Sequence, residues 1–142
     1  MSQTSTRPTA RKLFLNLPVK DLERTQAFWT SLGFTFNKQF TDQNATCLVF
    51  SEDACAMLLV ESFFKTFTER AICDTRTHCQ AAFALSCESR AEVDALVQKA
   101  LAAGGTLTEP AKDYGFMYQH GFDDLDHHHW ELVWMDPNHI QK

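Results

Sequence analysis

Residues 12–19 alternate cleanly, with Leu13, Leu15, Leu17 and Val19 on one side and Phe14, Asn16 and Pro18 on the other. That period of two marks a half-buried strand. Asp21 then stands where a helix N-cap belongs, and Leu22, Thr25, Phe28, Trp29 and Leu32 recur at helical spacing. Gly33 follows at the usual left-handed stop. Strand-like runs come at 34–40, 46–51 and 56–61, separated by the polar turns 41–44 and 51–53. Residues 62–80 lose the pattern. They hold an apolar cluster, Phe63, Phe64 and Phe67, then a polar run, and read as a connector with one helical turn.

From residue 81 the order starts again. Phe83, Leu85 and Cys87 alternate with Ala82, Ala84 and Ser86. Ser89-Arg90-Ala91-Glu92 is a capping box ahead of the stripe Val93, Leu96, Val97, Ala100 and Leu101. Gly104-Gly105 stop this second helix, and strand-like runs follow at 105–108, 115–122 and 129–135. Each half therefore reads strand, helix, strand, strand, strand, the second copy about 70 residues after the first.

This order predicts an α+β chain of two βαβββ modules, about 12–61 and 81–136, joined by the connector 62–80. Together they form one domain over 12–142 behind a disordered tail, 1–11. One module is a curled sheet with a helix on a single face, and its other face stays bare unless a second half or a second chain lies beside it. Two such halves make an open, curled mixed sheet around a cleft of the kind that takes a small molecule. The pattern leaves open whether the halves pair within one chain or across a homodimer.

Composition narrows the function classes. At 44% hydrophobic and 22% charged, the chain has material for a real core. A formal charge of -5, with Lys and Arg scattered, argues against a nucleic-acid partner. No apolar run approaches the ~20 residues of a membrane span. The first dozen residues lack the apolar middle of a signal peptide. Five cysteines without close pairing fit buried thiols in a reducing compartment, so a cytoplasmic location is expected. There is neither a Gly-rich phosphate loop nor a Ser-centred elbow.

The chemistry gathers at the closing strand. Trp130, Leu132 and Trp134 form a bulky row on one side, while His129, Glu131 and Val133 share the other. A carboxylate in so apolar a strand must find a metal, a donor or a proton. His127 and His128 are expected to be solvated turn residues.

Two stretches carry a resemblance. Leu15-Asn16-Leu17-Pro18-Val19-Lys20-Asp21-Leu22-Glu23-Arg24, running through Phe28-Trp29 to Leu32-Gly33-Phe34, resembles the opening of vicinal oxygen chelate proteins. Asp113-Tyr114-Gly115-Phe116, with Phe122-Asp123-Asp124-Leu125-Asp126 and Trp130-Glu131, resembles their closing strand pair. The superfamily includes glyoxalase I, extradiol dioxygenases, and fosfomycin and bleomycin resistance proteins. One architecture there serves isomerases, dioxygenases, transferases and drug-sequestering proteins, so the resemblance speaks to fold before function. It implies paired βαβββ modules, an open cleft and a homodimer.

The resemblance also implies four metal-ligand positions. They fall on Phe14, near Leu59 (with Glu61 further along), on Ala82 and on Glu131. Phe and Ala offer no lone pair, whereas a mononuclear catalytic site needs about three protein ligands. No cofactor is therefore expected. A divalent ion, if one binds, would take a relocated set of Glu131, His129 and either His120 or Glu61.

The reading that follows is a glyoxalase/bleomycin-resistance/dioxygenase-like protein that binds a small molecule in its cleft without the usual complete metal site. Its ligand contacts would be Phe14, Asn16, Leu59, Glu61, Ser86, Tyr118, His120 and His129, with Glu131 as the catalytic candidate. The alternative is a metal-dependent lyase or isomerase of glyoxalase type using Glu131.

Overall fold

The computed structural model describes residues 11–139. All but Arg11 of the predicted tail lies outside the described residues, as do residues 140–142. The first module runs β1 (Leu13–Val19), α1 (Leu22–Ser31), β2 (Thr35–Asn37), β3 (Ala45–Ser51) and β4 (Ala54–Val60). A single turn, α2 (Glu61–Phe64), opens the connector. The second module runs β5 (Ala82–Ser86), α3 (Arg90–Ala102), β6 (Lys112–Asp113), β7 (Met117–Asp123) and β8 (His129–Met135). The strand orders are β1-β4-β3-β2 and β5-β8-β7-β6, with only β1/β4 and β5/β8 parallel. These are the two open, mixed sheets of an α+β chain that the repeat predicted.

Local chemistry explains the boundaries. The Asp21 carboxylate accepts from the Arg24 amide at 3.2 Å, and the Ser89 hydroxyl accepts from the Glu92 amide at 3.0 Å, each supplying an acceptor to a helix's orphan donors. Gly33, with φ 96°, follows the end of α1 in the left-handed region that side chains avoid. The predicted strand 34–40 stops at Asn37 because its side chain accepts from the Gln39 amide and caps a 3-10 turn, Lys38–Phe40. The predicted strand 105–108 shrinks to one bridge between Thr106 and Asp123, and Lys112–Asp113 takes the sheet edge instead.

The helix-covered faces of the two sheets meet in one core. Leu17, Phe28, Trp29, Leu48 and Leu58 from the first module pack with Val93, Val97, Phe122, Trp130 and Leu132 from the second. The Trp29 and Trp130 rings sit 4.9 Å apart edge to face, and Phe50 of β3 reaches Trp130 at 5.5 Å. Because each sheet turns its helix side inward, both helix-free faces point outward. Among the described residues of one chain, the helix-free faces do not enclose a shared hollow.

Candidate functional site

Register decides which side chains share the outer face of the second sheet. Glu131 stands opposite Ala84 on β5 and Gly121 on β7, His129 opposite Ala82 and Asp123, and Val133 opposite Ser86 and Gln119. The face around Glu131 is thus polar and carries Ser86, Gln119, Asp123 and His129. Gly121 is required there: a Cβ would lie 2.6 Å from the Trp130 carbonyl and 3.5 Å from the Glu131 side chain.

His129 is held between two carboxylates. Its Nδ1 lies 2.9 Å from Asp123 Oδ1 and its Nε2 lies 3.3 Å from Glu131 Oε1. With an acceptor at each nitrogen, the imidazolium form satisfies both contacts by donating twice. Burial alone would push this imidazole toward neutrality, but the Asp123 and Glu131 carboxylates outweigh it and leave the group raised above the ordinary histidine range. A raised folded value means the charged form stabilises the fold. That contribution is complete below the unfolded range, about 6.5, and fades as pH climbs through the folded value. The thermal midpoint of the native chain, relative to His129→Gln, is therefore expected to fall between about pH 6 and about pH 9. A difference constant across that span would show that the carboxylates do not hold the proton.

Other predicted site residues fall elsewhere. Phe14 and Asn16 lie on the outer face of the first sheet, paired with Cys55 and Met57, and both are exposed. Leu59 shares that face but is 1% exposed, at the end where α2 packs against β1, so it has no surface for a ligand. Glu61 does not continue β4: it begins α2 and lines a crevice between the modules. Tyr118 and His120 pair with Trp134 and Leu132, which puts them on the helix-covered face, opposite to Glu131. There the Tyr118 hydroxyl donates to Asp94 of α3 at 2.6 Å, and His120 Nε2 is buried without a partner.

This geometry bears on a metal. His120 is on the wrong side of the sheet to join His129 and Glu131, and both nitrogens of His129 already face carboxylates. Among the described residues, no three His, Cys, Asp or Glu side chains converge on a point that could hold an ion. The residues of one chain therefore do not fit the ligand set of a mononuclear catalytic site. Burial pushes the Cys55 thiol up to about 11 and the Cys87 thiol up to about 12, so neither of these two is a ready thiolate nucleophile.

The acidic turn between β7 and β8 is structural, and the expectation that His128 is solvated is overturned. His128 is 2% exposed; its Nε2 donates to the Pro18 carbonyl of β1 at 2.7 Å, and its Nδ1 accepts from the Gln80 amide at 3.2 Å. Asp126 Oδ1 accepts from the Lys20 amide at 2.9 Å, and its Oδ2 accepts from the Thr25 hydroxyl at 3.2 Å. The turn therefore clamps the second module onto the first. His127 alone is exposed, at φ 60°.

Residues 11–51 match the family described as bleomycin resistance protein-like N-terminal. A hypothetical protein, SA1046 from S. aureus, shares 24% identity over 89% of this chain and 95% of its own, with a TM-score of 0.76. A glyoxalase/bleomycin resistance protein/dioxygenase family enzyme from Burkholderia phytofirmans PsJN shares 18% over 86% and 96%, with a TM-score of 0.71. The chain has the vicinal oxygen chelate fold. A fosfomycin resistance protein, FosX from Listeria monocytogenes, has the same fold at 20% identity over 92% of each chain, with a TM-score of 0.59. No curated protein matches the chain by sequence. No helix among the described residues is long and apolar enough to cross a membrane.

Within the vicinal oxygen chelate fold, sequence reading missed Gln119, Gly121 and Asp123 as neighbours of Glu131. The signal was available. A hairpin closed by the five residues 124–128 pairs Asp123 with His129. Strict alternation from that pair sends Gly121 and Gln119, not His120 and Tyr118, to the outer face.

Proposed function

We propose that the protein binds a small organic molecule on the outer face around Glu131, in a cleft closed by the first-sheet outer face of a second copy. The observation that carries this reading is that the modules bury their helix-covered faces against each other while Phe14, Asn16 and Ser86 stay exposed. The two outer faces are complementary: Phe14, Val49 and Met57 offer apolar contact, and Ser86, Gln119 and Glu131 offer hydrogen bonds. Relatives of this fold that are named for drug resistance support a small-molecule ligand.

Sedimentation equilibrium and thermal shift test it together, with fosfomycin, bleomycin and a glutathione hemithioacetal as probes. The native chain should be a dimer stabilised by at least one probe, and Phe14→Arg should be a folded monomer that no probe stabilises. A native monomer, or a Phe14→Arg chain still stabilised by the same probe, would refute the shared cleft. A lyase or isomerase reading is favoured by one observation, the row Asp123–His129–Glu131, because it sets a charged carboxylate–imidazole chain on that face. It requires that Glu131→Gln abolish hemithioacetal turnover without loss of dimer.

A further inference from the structure

We infer that the crevice between the two modules is a second binding site, separate from the outer faces, for a small organic anion that also carries a hydroxyl or amino group. The crevice has a volume of about 450 Å³, within the range of small-molecule sites and far too small for a macromolecule. The connector forms one wall, and the clamp turn with the end of β1 forms the other. Ile72, Pro18 and Leu125 supply apolar surface.

The charges that line it are unevenly committed. Asp126 is taken by the Lys20 amide and the Thr25 hydroxyl, and Asp74 is taken by the Arg76 guanidinium at 3.2 Å. Among the described residues, the Lys20 and Lys65 ammonium groups form no ion pair, and the Glu61 carboxylate accepts no side-chain hydrogen bond. All three line the same cavity. Two uncommitted ammonium groups beside one uncommitted carboxylate call for a ligand with an anionic head and a neighbouring donor. His127, at φ 60°, stands at the lining with its ring unbonded and adds a further donor. Nothing in this arrangement depends on the dimer cleft or on Glu131.

The test is a ¹H–¹⁵N titration of the full chain with L-malate and with glycerol phosphate. Saturable shifts are expected at the Lys20, Thr75 and His127 amides in about 0.15 M NaCl, with the His129 and Glu131 signals unmoved. Whichever probe binds more tightly assigns the anionic head. Lys20→Ala with Lys65→Ala, both at exposed positions, should weaken binding about tenfold or more while the remaining spectrum stays native. Shifts that never saturate, that vanish at this ionic strength, or that persist undiminished in the double variant would overturn the assignment.

Discussion

Trp130→Ala is expected to cost about 3–5 kcal/mol, a large share of the ~5–15 kcal/mol that holds a domain of this kind together. The side chain is fully buried. Its ring lies 4.9 Å from Trp29, 5.5 Å from Phe50 and 5.0 Å from Phe83, so it touches both modules. Its indole N–H donates to Asp124 Oδ2 at 2.9 Å. Truncation removes the ring from a shared core and leaves a cavity between two sheets that cannot close independently. Urea unfolding should move to lower denaturant as one transition, because no module retains a core of its own. Two separated transitions, or a loss under about 1 kcal/mol, would mean that the modules are independent units. Trp29→Phe makes a control. The Trp29 indole N–H is buried without a partner, so that change gives up some packing but also removes an unsatisfied donor.

The fold was largely legible in the chain because its signals are local. Alternation over residues 12–19, the caps at Asp21 and Ser89 and the stop at Gly33 each depend on neighbours a few positions away. The site was less legible because it depends on parity and on long-range pairing. His120 sits one residue from Gly121, and that single step moves it through the sheet, away from Glu131 and onto the helix-covered face. Glu61 follows β4 directly, yet the chain turns into α2 at that residue and carries the carboxylate into the crevice. His128 looked like a turn residue by its company of acids and histidines. Its partners, Pro18 and Gln80, are 110 and 48 positions away, and no periodicity reports such contacts.

Asp124→Ala is expected to destabilise the chain about as strongly, by roughly 3–5 kcal/mol, although the side chain is small. Asp124 is 4% exposed and serves three donors: the Asp126 amide at 2.9 Å, the His128 amide at 3.0 Å and the Trp130 indole at 2.9 Å. Alanine leaves all three without an acceptor, and each orphaned donor costs about 1–3 kcal/mol. Those donors shape the turn that presents His128 to Pro18 and Asp126 to Lys20, so the loss also loosens the hold of one module on the other. Asp124→Asn keeps one acceptor oxygen but sets an NH₂ group among donors, and it should fall between the native chain and alanine.

The effect has a pH signature. Burial pushes the Asp124 carboxyl above its ordinary value, against the opposing pull of His128, the indole N–H and the His128 amide. A raised folded value means that the neutral acid is favoured in the fold. The native chain therefore loses stability relative to Asp124→Ala as pH rises from about 4, the unfolded carboxyl range, through the folded value. Urea midpoints of the two chains should accordingly lie furthest apart at the acid end of the range in which both remain folded. A gap that widens with rising pH would show instead that the three donors, and not burial, govern this carboxyl.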